Sequence, residues 1–520
     1  MKNCPDSSTR RALLALAAVA ALAAPLAHAA DQTTRVIVAF KPGAQGAIRA
    51  AVAVARGNVK HEIHGVDAMA VEVPTQALAG LSRNPNVEYV EEDAKRYMYA
   101  GATPSTGTPY ASGQWVPYGI PMVQADRLTA KDASNRKLCI IDSGYSLGHE
   151  DLSAAANVTG EYDIGTGWWY TDESHHGTHV AGTISALNNP GIGVVGVNSN
   201  GTLKLHIVKV FGADAWAYSS TLTTAANKCR DAGANVISMS LGGTRSSRTE
   251  LTAFDKLLNT NNILSIAAAG NDGSTRLSYP AGYASVVSVA AIDEYKQWAT
   301  FSQYNKDVEL AAPGVNVLST VPMGTGTTSS LQVGATAYAV GSMEGSPKMS
   351  ASGALADFGL GGTVVAGSMT GKVCLILRGT YDFAVKVSNC QASGGVGAII
   401  YNNVAGDFSG TLGTVVTSIP SVTASDVVGA TLKTLLGSTA TVAVSPWNYA
   451  FYDGTSMATP HVSAVAALVW SYNTGCTATQ IRNLLNSTAQ DLGVVGRDTK
   501  FGFGLVQAAA AQARVATCGL

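Results

Sequence analysis

Charged side chains are scarce in this sequence. Asp, Glu, Lys and Arg together make up 13% of the 520 residues, and the formal net charge at pH 7 is −1. This balance gives no electrostatic basis for a nucleic acid or an anionic surface as a partner. Aromatic residues are also few, at 7%. Beyond the N-terminal region, Gly, Ser and charged residues interrupt the apolar runs, so we expect no membrane-spanning helix.

Glycine and apolar residues are plentiful instead. The 55 glycines predict many tight turns, and a hydrophobic fraction of 46% over 520 residues suffices for a large core and more than one domain. Such a composition is typical of a compact exported enzyme and not of a disordered scaffold.

The N-terminus has the pattern of an export signal. Arg10 and Arg11 form a positive region, residues 13–26 form an apolar core, and residues 27–29 (Ala-His-Ala) fit a cleavage site. We therefore predict a signal peptide over residues 1–29 and a secreted, extracellular protein.

Six of the seven cysteines follow this signal. An even number of cysteines in an exported chain favours disulfide bonds. Four of these six form two natural local pairs, Cys374–Cys390 and Cys476–Cys518. Cys139 lies in an apolar strand and Cys229 in a predicted helix, so these two either pair or remain buried thiols.

Changes in pattern divide the exported part of the chain into segments. Residues 30–100 predict a small α+β domain with the order strand, helix, strand, helix, strand, and the Gly-, Thr- and Pro-rich residues 101–113 predict a linker that contains the processing region. Residues 114–325 and 448–520 form one larger domain in two parts. Residues 326–447 form a β-rich insert between them.

The larger domain alternates strands with helices. Helices are predicted at residues 221–232 and 250–259. Continuous apolar runs, typical of strands buried on both faces, occupy residues 137–141, 205–210, 234–240 and 263–269. This alternation predicts an α/β fold with a doubly wound, mostly parallel sheet. Within the insert, the pattern predicts strands at 371–379 and 397–403, a helix at 381–392 and a loop at 419–422.

Ser456 lies in the string Gly-Thr-Ser-Met-Ala-Thr-Pro-His at residues 454–461, at the start of an apolar run that predicts a buried helix. Backbone N–H groups at a helix start lack helical partners and favour negative charge. Acyl transfer needs a hydroxyl, such donors and apolar packing in one place. Ser456 alone would indicate only a helix N-cap. The whole string is more specific, and it resembles the nucleophile segment of the subtilisin-like serine proteases.

Two further strings carry the same resemblance. Residues 176–182, His-Gly-Thr-His-Val-Ala-Gly, resemble the family's histidine motif, whose first histidine is catalytic, so the resemblance places the general base at His176. Asp142 ends a predicted buried strand, where a carboxylate could orient that imidazole. The chain order Asp142, His176, Ser456 is that of subtilisin. The alternatives are a strand-end cap for Asp142 and a metal site, since His175 and His179 are one helical turn apart.

Asn271 follows the apolar run 263–269. The resemblance implies that its side-chain amide and the backbone N–H of Ser456 together hold the oxyanion of the tetrahedral intermediate. Taken alone, Asn271 would indicate only a turn.

The primary specificity pocket of the family has two walls that match segments of this sequence. The residues that the resemblance assigns to substrate binding are Ser240, Leu241, Gly242, Ala268 and Gly270. Gly and Ala leave room for a side chain and carry no charge. We therefore expect broad specificity, with a preference for apolar or aromatic residues at P1, the residue before the scissile bond.

Three segments resemble the pieces of the family's strong calcium site. The resemblance implies side-chain ligands at Gln114, Asp151 and Asn189. It implies backbone carbonyl ligands at Leu187, Ile192 and Val194. Such oxygen ligands suit a hard cation. The loop that follows Asn189 is one residue longer than the usual pattern. We expect structural Ca²⁺ and no organic cofactor.

The resemblance implies a secreted serine endopeptidase that hydrolyses peptide bonds in proteins through an acyl-enzyme. It also implies that residues 30–100 are an inhibitory propeptide that assists folding, and that residues 326–447 are a protease-associated (PA) domain. The expected partners are polypeptide substrates and the enzyme's own propeptide, and we expect a monomer.

Two other functions compete with this one. Ser146 lies in Gly-Tyr-Ser-Leu-Gly, residues 144–148, which fits the nucleophile elbow of α/β-hydrolase esterases. The residues that follow make a poor start for the helix that such an elbow requires. The second alternative is an inactive relative of these proteases that only binds peptides.

Overall fold

The computed structural model describes residues 33–63, 68–92, 102–104, 110–128, 132–154, 156–163, 165–212, 217 and 219–519. The predicted signal peptide and most of the predicted linker lie outside these ranges. The chain forms two compact units that divide after residue 96.

The N-terminal unit is a small α+β fold. Its elements in chain order are β1 (Thr33–Phe40), α1 (Gln45–Val54), β2 (Asn58–Ile63), β3 (Ala68–Pro74), α2 (Leu78–Ser82) and β4 (Val87–Glu92). The strands pair antiparallel in the order β2-β3-β1-β4. The sequence pattern missed β2, because Lys60, His61 and Glu62 interrupt its apolar alternation and its register shifts between Val59 and His61.

The second unit contains the larger domain and the insert. Before the insert its elements are β5 (Ala102–Pro104), β6 (Trp115–Pro117), α3 (Gly119–Met122), β7 (Lys137–Asp142), β8 (Val158–Gly160), β9 (Tyr162–Asp163), β10 (Gly167–Trp168), α4 (His176–Ser185), β11 (Lys204–Lys209), α5 (Ser219–Asp231), β12 (Val236–Met239), α6 (Arg248–Asn259), β13 (Leu264–Ala268), β14 (Val286–Ile292), β15 (Val308–Pro313) and β16 (Val317–Thr320).

Seven of these strands form one parallel sheet in the order β15-β14-β13-β12-β7-β11-β8. All seven positions of β14 and all five of β13 are buried, as continuous apolar runs in a doubly covered sheet require. The predicted parallel α/β sheet is therefore confirmed.

The insert forms a second, nine-stranded mixed sheet. Its elements are β17 (Gly326–Val333), β18 (Thr336–Tyr338), β19 (Gly341–Glu344), β20 (Ser350–Asp357), β21 (Lys372–Leu377), α7 (Phe383–Ala392), β22 (Gly397–Tyr401), β23 (Gly410–Thr411), β24 (Ser421–Ala424), α8 (Asp426–Lys433) and β25 (Thr439–Trp447). The loop predicted at 419–422 is wrong in part, because Ser421 starts β24. Pro420 precedes that strand, and its carbonyl accepts a hydrogen bond from Ala398.

The chain returns to the larger domain after the insert. The elements there are β26 (Tyr449–Tyr452), α9 (Thr455–Tyr472), α10 (Ala478–Thr488) and α11 (Ala508–Gln512). Helix α9 runs through the core: of its 18 residues, only Ser456 and Tyr472 are not buried. Across the ranges described, no helix has both the length and the apolar character needed to cross a bilayer.

Three disulfides join the six described cysteines. Cys374–Cys390 and Cys476–Cys518 are the two local pairs, with Cα–Cα distances of 6.2 and 5.5 Å. Cys139 in β7 and Cys229 in α5 also pair, at a Cα–Cα distance of 5.6 Å. The last bond joins helix α5 to β7, the interior strand that ends at Asp142.

Candidate active site

A carboxylate and an imidazole meet at the carboxyl end of the parallel sheet. Asp142 is the last residue of β7 and is fully buried, and His176 is the first residue of α4. His176 Nδ1 lies 2.7 Å from Asp142 Oδ1, which also accepts from the backbone N–H of Ser143 at 2.8 Å. Because a carboxylate only accepts, the Nδ1 nitrogen carries the proton and leaves Nε2 of the neutral ring as an acceptor. This is the arrangement of a general base and the acid that orients it.

The surroundings of His176 shift its pKa. Burial lowers this pKa, but the charge and hydrogen bond of Asp142, with a contribution from Asp172, outweigh burial and raise it above its ordinary value. The imidazole side chain is still 27% exposed. The ring can therefore take a proton from a group in the cleft and hold it against the buried carboxylate.

Asp172 holds the start of helix α4, a role that the sequence analysis missed. Its two oxygens accept hydrogen bonds from the backbone N–H groups of His175 and Thr178, at 2.9 and 2.8 Å, and from the Thr178 hydroxyl at 2.6 Å. The Ser143 hydroxyl donates to it at 2.8 Å. The available signal was an acidic residue four positions before His176, the first residue of the histidine motif.

His179 occupies a different environment from His176. Its Nε2 lies 3.0 Å from the carbonyl oxygens of both Val317 and Ala450, and its ring stacks on Tyr452 at 4.3 Å. Burial lowers the pKa of His179 to about 3. This is a neutral core histidine, and the described ranges contain no group of three His, Cys, Asp or Glu side chains that could hold a metal ion. The geometry does not support the metal alternative at His175 and His179.

Ser456 is the second residue of α9, and it is tied to the cleft wall by a reciprocal contact with Ser240. Pro460 has no N–H, so the carbonyl of Ser456 lacks its helical donor four residues on. The Ser240 hydroxyl supplies that donor at 2.6 Å. In return, the Ser456 hydroxyl donates to the Ser240 carbonyl at 3.0 Å and not to the imidazole. A rotation about the Cα–Cβ bond of Ser456 is needed before a proton can pass to His176.

Asn271 lies beside the nucleophile candidate. Its Oδ1 accepts from the backbone N–H and the hydroxyl of Thr455, at 2.9 and 2.7 Å. These bonds fix the amide, so Nδ2 faces away from Thr455. A Cβ placed on Gly454 would lie 3.2 Å from that Nδ2 and 3.7 Å from the Cβ of Ser456. The absence of a side chain at Gly454 therefore keeps the space next to Asn271 and Ser456 open for a substrate oxygen.

Thr455 was missed as a positioning residue, although it lies inside the string that was recognised. Its hydroxyl donates to Asn271 and accepts from the Gly270 N–H at 3.2 Å. Thr455 thus joins the end of β13 to the start of α9 and sets the direction of the Asn271 amide.

A cleft of about 560 Å³ contains His176 together with three predicted substrate-binding residues, Ser240, Leu241 and Gly242. Ala268 and Gly270 do not line it. Ala268 is buried at the end of β13, and a Cβ at Gly270 would lie 1.4 Å from the Gln303 side chain.

The predicted calcium ligands converge at a second place. Gln114 is fully buried. Its amide nitrogen lies 2.9, 2.6 and 3.4 Å from the carbonyl oxygens of Leu187, Ile192 and Val194. Its Oε1 is buried without a hydrogen-bond partner among the described residues. Three carbonyls directed at one point, next to an unsatisfied amide oxygen, are a set of ligands that fits a hard cation.

Asp151 completes this oxygen cluster. One of its oxygens accepts from the Val194 N–H at 2.7 Å, and the other is buried with no partner in the described part of the chain. Burial and the charge of Glu150 raise the pKa of Asp151 to about 8, against opposing hydrogen bonds from Val194 and Asn189. A cation here would stabilise the ionised carboxylate, so the residues present fit Ca²⁺.

The esterase alternative lacks its defining element. The described residues between β7 and β8 form turns and no helix, and the backbone N–H of Ser146 donates to the Thr178 hydroxyl at 3.1 Å. A nucleophile elbow needs a helix directly after its serine.

Three family profiles match the chain. The profile described as "Subtilase family" matches residues 133–357 and 386–504, "PA domain" matches residues 334–432, and "Fervidolysin N-terminal prodomain" matches residues 24–93.

Named relatives agree with these profiles. The chain is 37% identical over 278 residues to subtilisin amylosacchariticus of Bacillus subtilis subsp. amylosacchariticus, a match that covers 52% of this chain and 67% of that one. It is 40% identical over 221 residues to subtilisin DY of Bacillus licheniformis, covering 41% and 77%. A crystal structure of the psychrophilic subtilisin-like protease Apa1 from the Antarctic psychrotroph Pseudoalteromonas sp. AS-11 is similar with a TM-score of 0.63 and 41% identity, covering 78% of this chain and 99% of that one.

Proposed function

Because this chain belongs to the subtilase family of serine peptidases, with a prodomain and a PA domain, we propose that it is a secreted endopeptidase that cleaves proteins through an acyl-enzyme. One observation carries this proposal: His176 Nδ1 lies 2.7 Å from Asp142 Oδ1. His176 lines the same cleft as Ser240, and the Ser240 carbonyl accepts a hydrogen bond from the Ser456 hydroxyl. The alternative of an inactive, peptide-binding relative has no support in these residues.

The proposed reaction has two halves. Ser456 Oγ leaves the Ser240 carbonyl and attacks the peptide carbonyl while Nε2 of His176 takes its proton. Asp142 stabilises the resulting imidazolium, and His176 then gives the proton to the leaving amine. Water repeats these steps on the ester to release the acid. The Asn271 amide and the Ser456 N–H hold the oxyanion each time.

An activity-based label tests this proposal. A peptidyl fluorophosphonate phosphonylates a serine only when a neighbouring base activates it. We expect peptide mapping of the labelled mature protein to place the added mass on Ser456, with casein hydrolysis lost in parallel. Labelling of another serine with loss of hydrolysis would contradict the assignment.

Asn271→Leu should lower kcat by roughly 10²–10³-fold with little change in KM, because the lost donor acts mainly on the oxyanion of the transition state. Thr455→Val removes only the hydroxyl that orients the amide, so a smaller loss of about tenfold is expected. Steady-state kinetics on one chromogenic peptide measure both. Equal losses in the two variants, or a loss confined to KM, would contradict these roles.

We further propose a broad specificity with apolar or aromatic residues at P1, since the uncharged Leu241 and Gly242 line the cleft beside Ser240. A peptide library cleaved by the mature enzyme tests this preference.

The prodomain at residues 30–100 would act as an intramolecular inhibitor, and N-terminal sequencing of the secreted product would locate the signal and propeptide cleavage sites. Size-exclusion chromatography tests the expected monomer.

Gln114, Asp151, Asn189 and the carbonyls of Leu187, Ile192 and Val194 are proposed to hold a structural Ca²⁺. The ion would supply charge neutralisation at Asp151 and would join the segment before β6 to the loop after α4.

Calcium removal should therefore destabilise the protein. In a Ser456→Ala background that prevents autolysis, we expect a chelator to lower the apparent Tm by about 5 °C or more, as loss of a ligand present at 100 times its Kd would do. Asp151→Asn should lower the Tm in calcium and remove most of the response to chelator. A response in Asp151→Asn as large as in its parent would place the ion elsewhere.

A further inference from the structure

The cleft that contains His176 is also lined by an acidic side chain, Glu250. The wall of this cleft begins at Ser240, which contacts Ser456, and continues along residues 240–245 toward α6. Glu250 belongs to the first turn of α6 and is only 3% exposed. A carboxylate at this depth in a substrate cleft needs a reason, because burial of an unpaired charge costs free energy.

Only one oxygen of the Glu250 carboxylate has a hydrogen-bond partner among the described residues. The hydroxyl of Tyr283 donates to its Oε2 at 2.8 Å. No described Lys, Arg or His forms an ion pair with it, and Oε1 accepts no hydrogen bond from the described residues. Burial raises the pKa of Glu250, and the hydrogen bond from Tyr283 opposes that shift.

Helix capping does not account for this carboxylate. The spacing Ser247-x-x-Glu250 is that of a capping box, in which the acidic side chain accepts from the N-cap backbone N–H. Ser247 does cap α6, since its hydroxyl accepts from the Glu250 N–H at 3.3 Å. The Ser247 N–H, however, donates to the Tyr283 hydroxyl at 2.8 Å. Tyr283 has taken the position of the carboxylate, which leaves Glu250 directed to the cleft.

Apolar residues also line this cleft, among them Val210, Leu222 and Leu241. Apolar walls around one buried acid complement a side chain with an aliphatic stem and a cationic tip. Arg245 also lines the cleft, but its side chain is exposed, and solvent screens its charge.

From this juxtaposition we propose that Glu250 is a specificity-determining residue, and that the cleft takes a Lys or Arg side chain of the substrate at a position other than P1. The inference rests on the proposed endopeptidase function. The cation pairs with Oε1 of Glu250 while its methylene groups pack on the apolar walls. Substrates rich in basic residues would then be cleaved faster than neutral ones with the same P1 residue.

Matched peptides test this specificity. One series carries a fixed P1 Phe and a single Lys moved through the neighbouring positions, and its partner series has norleucine in place of Lys. We expect kcat/KM to be about tenfold to a hundredfold higher for Lys at one position, the scale of a buried charged hydrogen bond. Glu250→Gln, which keeps an acceptor for Tyr283, should reduce that ratio to below about threefold. Glu344→Gln, at an exposed site of the insert, is the control and should keep the ratio.

The outcomes separate the two proposals. A wild-type enzyme that cleaves the norleucine peptides as fast as the Lys peptides at every position overturns the role of Glu250 and leaves the endopeptidase function intact. So does a Lys preference that survives in Glu250→Gln. If the wild type cleaves no peptide of either series, nor casein, the endopeptidase function itself fails.

Discussion

Replacement of Ser456 by Ala should abolish proteolysis, with kcat falling by roughly 10⁶-fold, the scale found when the nucleophile of a subtilisin is removed. The loss is expected in kcat, because the hydroxyl makes its bond to substrate only in the reaction. The fold should persist: Ser456 is the partly exposed residue at the start of a helix whose next fifteen positions are buried. Circular dichroism and casein hydrolysis on the same preparation measure both properties.

Ser146→Ala is the matched control for this substitution. Ser146 also follows a strand of the parallel sheet, and its contact with Thr178 is made by the backbone N–H, which alanine retains. We expect near wild-type hydrolysis of both casein and a small ester. Activity that survives in Ser456→Ala and disappears in Ser146→Ala would reverse the assignment and favour an esterase-type site.

Asp142→Asn should lower kcat by roughly 10⁴-fold, because an amide cannot hold the imidazole in the tautomer that leaves Nε2 free. It should also change the pH dependence. Asp142 supplies the charge and the hydrogen bond that raise the pKa of His176, and burial acts in the opposite direction. The neutral asparagine of the variant removes that charge, so burial dominates and the pKa of His176 falls. The neutral base then persists to lower pH, so the acid limb of kcat/KM should move to lower pH.

Asp172→Asn separates this effect from a general loss of order near the helix. Asp172 binds the start of α4 and makes no hydrogen bond to the His176 ring. We expect a smaller loss of kcat and a small downward shift of the acid limb, since only a distant charge is removed. An acid limb that stays in place in Asp142→Asn would show that another group titrates there.

The proposed reacting groups were predictable because short strings carry them. Ser456, His176 and Asn271 each follow or begin an element whose apolar pattern is visible in the sequence, and Asp142 ends one. The supporting groups were not predictable in the same way. Thr455 acts through a hydrogen bond to Asn271, 184 residues away in the chain, which no local pattern records. Asp172 binds nearby backbone N–H groups, and its position just before the histidine motif was its one local signal.

Errors in the predicted elements have a related cause. Strand β2 carries Lys60, His61 and Glu62, and β24 directly follows a proline, so local propensity argued against both. Hydrogen bonds to the neighbouring strands outweighed this unfavourable local propensity.

Residue type and local spacing were enough to indicate a parallel sheet, a buried helix that begins near a serine, and the kinds of groups that acyl transfer uses. They were enough because burial of both strand faces and the start of a helix each require particular residue types at neighbouring positions. Long-range packing alone decided that Cys139 pairs with Cys229 and that the Ser456 hydroxyl donates to the Ser240 carbonyl. It also decided that the Tyr283 hydroxyl accepts from the Ser247 N–H, the place that the Glu250 carboxylate would take in a capping box. Each of these depends on distances between segments tens to hundreds of residues apart, which only the folded backbone specifies.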